Sequence, residues 1–309
     1  MPSPVLIVGS VALDSVETAF GKVDRAAGGA GTFSAIAASP LVPVRLVGVI
    51  GDDFPAEALA LLRERGVDLE GVEVVPGGRS FHWAGRYSQD MNSRETLATE
   101  LNVFADFAPR LPEAYRGTPY VFLANIQPGL QRSVLDQMES PRFVMCDTMN
   151  FWIEGAREEL LAVLRRVDLA LLNDEEARQL TGETNLAKAA AHVLGLGPKY
   201  AVIKRGEHGA SLTSAAGHFA LPCCPVTDVC DPTGAGDSFA GGLIGFLASV
   251  DRDDEPSLRQ ALACGTVLAS ACVQGFSLDG LIRLTGEEMR SRYEGLRGMV
   301  AFDELPPES

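Results

Sequence analysis

The stretch DPTGAGDSFAGGLIGFLASV, residues 231–250, sets a run of small residues between two aspartates and follows it with an apolar segment. Phe239, Leu243, Phe246, Leu247 and Val250 recur on one helical face, while Gly241, Gly242 and Gly245 leave room for a neighbour to pack closely. The spacing predicts a helix whose N-terminus is the segment Gly234, Ala235, Gly236 and Asp237. The first N–H groups of a helix have no intrahelical partner and its dipole is positive there, so such a turn cradles an anion. Asp237 could instead cap those amides. One cap, however, accounts neither for the GAG ahead of it nor for a second carboxylate at Asp231 with Thr233.

The helix has company of a particular kind. Short apolar runs, VLIVGSVAL (5–13), VRLVGVIG (44–51), YVFLANI (120–126), RFVMCDT (142–148), LALLN (169–173) and YAVIKRG (200–206), alternate with amphipathic segments such as PAEALALLRERG and IEGAREELLAVLRR. Runs that are apolar throughout are strands buried on both faces, and their alternation with helices predicts a doubly wound, mostly parallel α/β sheet. Two segments break the pattern, SVETAFGKVDRAA (15–27) and SFHWAGRYSQDMNSRETLATELNVF (80–104), which read as strands without covering helices. They are expected to form either a small lid or an excursion that closes the sheet edge. The terminal ELPPES is expected to be disordered.

Composition narrows the function. The chain has 309 residues, 46% hydrophobic and 22% charged, the balance of a folded globular protein. A formal net charge of −15 argues against a nucleic-acid partner, which requires clustered Lys and Arg. A phosphate pocket made of backbone amides survives that charge, because screening over about 8 Å leaves the local site in control. No stretch reaches the ~18 apolar residues of a membrane span, and MPSPVLIVGS has no basic region before its apolar run; a cytoplasmic protein with no membrane partner is expected. The six cysteines form no C-x-x-C pair, and His82, His192, His208 and His218 fit no ligand spacing, so reduced thiols and no structural metal are expected.

At this point DPTGAGDSFAGGLIGFLA resembles the C-terminal signature of the ribokinase-like (PfkB) family of carbohydrate and nucleoside kinases. GSVALD (9–14), GGAGTFSAIAAS (28–39), NDEEARQLTG (173–182) and KRGEHGA (204–210) fall in the family's order, so the resemblance spans almost the whole chain. It implies one ribokinase-like domain over 1–309, with a β lid from roughly 15–27 and 80–104, and ATP-dependent transfer of the γ-phosphoryl group to a hydroxyl of a sugar or nucleoside. Asp237 matches the catalytic base, and Gly234, Ala235 and Gly236 match the amides of the anion hole. Asn173 and Glu176 match the family's Asn-x-x-Glu motif, which places Mg²⁺ and the nucleotide phosphates largely through water; Asn173 also suits a helix cap. Lys204, Gly206 and Gly209 match the nucleotide-side loop. In several members the positions of Asp231 and Thr233 bind a monovalent cation, K⁺, although such residues also order turns.

On the acceptor side the resemblance implies Asp14 as the clamp on substrate hydroxyls, Gly28 and Gly29 as the surface against which the sugar lies, and Phe33 and Gln127 at substrate-binding positions. Here the chain departs from ribokinase: Ala12 and Phe33 replace asparagines and Gln127 replaces a sugar-contacting glutamate, which puts ribose itself in doubt. Phe81, Trp83, Phe151 and Trp152 could stack on a sugar or a base, or simply pack. Lid strands in this family often pair between subunits, which implies a homodimer. Two other functions compete. A catalytically silent sugar or nucleoside sensor would explain the altered acceptor side but has no need of the base. A dinucleotide oxidoreductase would require G-x-G-x-x-G after the first strand, and that motif is missing there, as is G-x-x-x-x-G-K-[ST] anywhere.

Overall fold

A computed structural model describes residues 2–304; residues 305–309, which make up most of the ELPPES tail, and Met1 lie outside the described residues. In chain order the strands are β1 (Val5–Val8), β2 (Ala12–Thr18), β3 (Gly21–Gly28), β4 (Val44–Gly51), β5 (Val67–Val75), β6 (Phe81–Tyr87), β7 (Arg94–Glu100), β8 (Tyr120–Leu123), β9 (Phe143–Asp147), β10 (Leu169–Asn173), β11 (Tyr200–Lys204), β12 (Ala210–Ser214) and β13 (Gly217–Leu221). Nine of them make one sheet in the order β13-β12-β11-β10-β9-β8-β1-β4-β5, parallel from β11 through β5 and antiparallel at the β12 and β13 edge.

Both faces of this sheet are buried, which is why its strands read as continuous apolar runs. Val5 and Ile7 of β1 join a core with the helices Ala30–Ala38, Ala235–Val250 and Glu255–Cys272, while the alternate residues Leu6 and Val8 join a second core with Pro128–Gln137, Arg157–Leu164, Asp174–Thr181 and Leu186–Gly195. The same alternation holds for Tyr120 and Phe122 against Val121 and Leu123. This is the three-layer, doubly wound α/β architecture expected from the sequence.

The helix Ala235–Val250 lies between Ala30–Ala38 and Glu255–Cys272. A methyl group at Gly241 would stand 2.2 Å from the Ser34 carbonyl oxygen, so the bare backbone is what lets the first pair approach. Phe239, Leu243 and Leu247 are buried as the spacing predicts, but Val250, at the end of the helix, is 38% exposed. No helix among the described residues is long and apolar enough to cross a membrane.

The segments that broke the α/β pattern form a separate four-stranded sheet, β3-β2-β6-β7, in which β2 and β6 run parallel and the outer pairs antiparallel. It starts earlier than expected, at Ala12, because β2 follows β1 after only three residues.

Candidate active site

The main sheet reverses direction beside β1. From β1 the chain steps outward through β4 and β5, whereas β8, β9, β10 and β11 step outward the other way. At such a switch point the connections part and leave a crevice beyond the carboxyl ends of the strands. A cleft of about 870 Å³ opens there. Polar residues line it in strand order: Asn125 two residues past β8, Asp147 ending β9, Asn173 ending β10 and Lys204 ending β11.

The anion loop faces this row. Gly234 begins the helix in the left-handed conformation, φ 78°, with no side chain capping the exposed amides. A side chain at this position would be strained by that φ, and its Cβ would strike the Phe33 ring. Phe33 is 1% exposed and belongs to the core beneath the loop. Expected at a substrate-binding position, it is the floor on which Gly234 turns. Gly236 approaches Lys204 closely, since a methyl group there would lie 3.3 Å from Nζ.

Asp237 lies in the first turn and lines the cleft, and among the described residues its carboxylate makes no hydrogen bond to another residue, its own first-turn amide being the backbone donor that bears on it. Burial within the cleft, with the Asp147 charge nearby, pushes the Asp237 carboxyl up to about 6, against the pull of Lys204 and Arg94. Lys204 Nζ donates to Asp147 Oδ2 at 2.9 Å. Burial alone would lower the ammonium; the Asp147 and Glu176 carboxylates outweigh it and hold the group above its ordinary range.

Asn173 and Glu176 form the helix cap and also face the cleft. Asn173 Oδ1 accepts from Glu176 N at 2.8 Å, and Glu176 Oε2 accepts from Asn173 N at 2.7 Å, a reciprocal capping box at the start of Asp174–Thr181. Both residues also line the cleft. Glu176 is buried, and desolvation, helped by Asp147, raises its carboxyl to about 7 even though Lys204 opposes the change. Gly206 and Gly209 line the same wall on the turn between β11 and β12. Asp231 is buried behind the loop, where Oδ1 accepts from Thr233 N at 2.9 Å and Oδ2 from Ser277 N at 3.4 Å. No cluster of three or more His, Cys, Asp or Glu among the described residues could hold a metal ion without help from a ligand.

On the other side Asp14 is 7% exposed, and its Oδ2 accepts from Gly29 N at 3.2 Å while lying against Gly28. Burial raises its carboxyl to about 7, with the charges of Asp237 and Asp231 adding to the effect. Gln127, expected at the substrate, is exposed where the chain turns outward to begin Pro128–Gln137, and like Asp14, Gly28 and Gly29 it is not among the residues lining the cleft. The polar group that the end of β8 does present is Asn125.

Asn125, Asp147, Tyr87 and Arg94 are site residues that the sequence did not single out. Asn125 and Asp147 could have been found, because each is the polar residue that ends an apolar strand of a doubly wound sheet. Tyr87 and the segment Asp90–Arg94 come from the four-stranded sheet, and Thr233 Oγ1 donates to Tyr87 Oη at 3.2 Å, tying that sheet to the anion loop. The aromatics divide: Phe81 stacks on Phe104 at 5.4 Å, Trp83 lies 5.6 Å beneath the Arg94 guanidinium, Phe151 is 63% exposed, and Trp152 Nε1 donates to Asn125 Oδ1 at 3.0 Å.

Comparison with known proteins places this geometry. The pattern of the pfkB family carbohydrate kinases matches residues 5–280. A cytidine kinase of Thermococcus kodakarensis is 30% identical over 254 residues, 80% of this chain and 88% of the relative. Two solved structures share the fold: a nucleoside kinase of Burkholderia thailandensis in complex with inosine, with TM-score 0.74 and 22% identity over 95% of this chain and 98% of the other, and an Arabidopsis thaliana ribokinase complexed with ribose and ATP, also with TM-score 0.74 and 22% identity, over 95% and 99%. The chain thus belongs to the pfkB family of carbohydrate kinases, as a kinase of sugars or nucleosides.

Proposed function

We propose that the chain moves the γ-phosphoryl group of ATP to a hydroxyl of a sugar or nucleoside, with Asp237 taking the hydroxyl proton and the N–H groups of Gly234, Ala235 and Gly236 steadying the phosphoryl oxygens. The observation that carries this reading is the Asp237 carboxylate itself: free of any hydrogen bond to another residue among the described residues, in the first turn of a helix whose start lines the cleft. Phosphoryl transfer needs positioning and neutralisation of oxygen charge more than covalent chemistry, and amides at a helix terminus supply both. A carboxylate lifted to about 6 is ionised at neutral pH yet a stronger base than an ordinary aspartate.

Lys204, held by Asp147 beside Gly236, adds a fixed positive charge. Asn173, Gly206 and Gly209 would hold the nucleotide. Mg²⁺, held through water by Glu176, whose Oε1 has no hydrogen-bond partner among the described residues, would neutralise charge shared between the phosphates. Asp231 suits a K⁺ neighbour, being a buried carboxylate with two amide donors and no cation paired with it among the described residues. Asp14, with Gly28 and Gly29, would grip acceptor hydroxyls. The relative named for cytidine and the structure solved with inosine support a nucleoside among the acceptors. The four-stranded sheet would act as the lid that excludes water, and its exposed Leu97, with the exposed Leu101 just past β7, 47% and 45%, suits pairing between two copies.

The test is ADP release by Asp237→Asn in a coupled assay over pentoses, hexoses and nucleosides. Nucleotide binding is expected to persist while turnover falls by roughly 10² to 10⁴. Near-normal turnover would exclude the base role.

A further inference from the structure

Trp152 decides which way the Asn125 amide faces. An indole N–H can only donate, so the atom it meets at 3.0 Å has to be the amide oxygen, Oδ1. The Nδ2 group is thereby left over, and Asn125 lines the cleft. The two Nδ2 hydrogens make no hydrogen bond to protein among the described residues. The indole in turn is held in place. It sits on the short helix Asn150–Gly155, which is tied to Asp174–Thr181 by the Asn150 Nδ2 bond to Gln179 Oε1 at 2.9 Å, and the Phe151 ring abuts it edge-on at 4.8 Å.

Strand order says which end of the cleft this donor serves. Asn125 follows β8, which borders β1, and β1 leads directly into the strand carrying Asp14. Lys204 and the Gly206–Gly209 turn follow β11, three strands away, on the order of 14 Å at the usual spacing between strands. The amide is thus on the side of Asp14 and away from the nucleotide-side loop.

We infer that Asn125, oriented by Trp152, is a specificity-determining residue for the molecule that receives the phosphoryl group, donating to a hydrogen-bond-accepting oxygen on it. Trp152 is the positioning residue: without its indole N–H the amide is free to turn and present its oxygen instead. The word receives rests on the phosphotransferase reading above, but the contact is a binding interaction and can be measured without turnover.

Calorimetric titration of full-length wild type, Asn125→Ala, Asn125→Asp and Trp152→Phe with D-ribose, D-fructose, cytidine and inosine tests it, with ATP titrated in parallel and thermal melting to verify folding. For the probes that wild type binds, Asn125→Ala is expected to weaken affinity about tenfold, the worth of one hydrogen bond. Asn125→Asp, which keeps the shape but swaps donors for an acceptor, is expected to weaken it more, and Trp152→Phe by roughly threefold. Affinity for ATP stays within about twofold in all three, since their side chains lie on the far side from the nucleotide turn. Unchanged probe affinity in Asn125→Ala and Trp152→Phe, a loss of ATP affinity in step with the probes, or binding of none of the four probes by wild type overturns the inference. Wild type that binds a probe through Asn125 yet releases no ADP would sink the phosphotransferase reading and leave this contact standing.

Discussion

At the proposed phosphate end the cleft is walled by backbone: the left-handed Gly234 and the amides after it, the reciprocal cap of Asn173 and Glu176, and the turn from Gly206 to Gly209. At the proposed acceptor end the groups are single side chains gathered from distant segments: Asp14 from β2, Asn125, which lines the cleft past the end of β8, and Trp152, bonded to Asn125, from a short helix after β9. A backbone site constrains consecutive residues, because each must tolerate the turn and the close approach. A side-chain site constrains only isolated positions, which the fold brings together.

Phe33 is where this contrast can be broken most severely. As the floor under Gly234 it belongs to the phosphate end, and Phe33→Ala is expected to destabilise the protein by about 3–5 kcal/mol in denaturant unfolding and to lower turnover. A variant of full stability with only its acceptor KM raised would return Phe33 to the acceptor end. Next comes Asp147, which touches the phosphate end through Lys204. Asp147→Asn is expected to cut kcat by about tenfold to a hundredfold. It should also shift the acid limb of the kcat–pH profile below about 6, because one charge that holds the proton on Asp237 is gone and Lys204 is left to favour the anion. A limb that stays put means Asp147 does not act through Asp237.

Asp14 sharpens the comparison from the other side. Its carboxyl, raised to about 7 by burial, binds a proton more tightly folded than unfolded, so its contribution to stability is fully present below about 4 and is lost as pH rises through 7. Asp14→Asn should therefore melt higher than wild type at pH 8, with the gain vanishing toward pH 4, while the acceptor KM rises about tenfold through the lost acceptor oxygen. Melting that is equal at pH 8 removes this account. The smallest effect is expected at Tyr87, where loss of the bond to Thr233 should cost about 0.5–1.5 kcal/mol of sheet-to-loop coupling. Faster amide exchange in 88–93 of Tyr87→Phe, with kcat within about threefold, would show it; unchanged exchange would mean the small sheet is held to the loop by other contacts.

How much of this was legible follows the same division. GAGD, NDEE and KRGEHG were readable because their turns demand those residues consecutively, and the structure brings all three segments to one cleft. For Phe33 and Gln127, position in a motif did not reveal which way the side chain points: one lies in the core and the other is exposed. Asn125 and Asp147 sat in view at the ends of quoted strands, unread because a polar residue there is a site only if the sheet reverses beside it.

By itself the sequence determined the layered α/β sheet and the helix that begins at the left-handed Gly234, since runs of apolar residues, helical periodicity and glycine at such a turn are local requirements of the backbone. Only the tertiary structure decided which side chains share the cleft with Asp237, and which way the Asn125 amide faces, because those depend on strand order and on an indole donor 27 residues further along the chain.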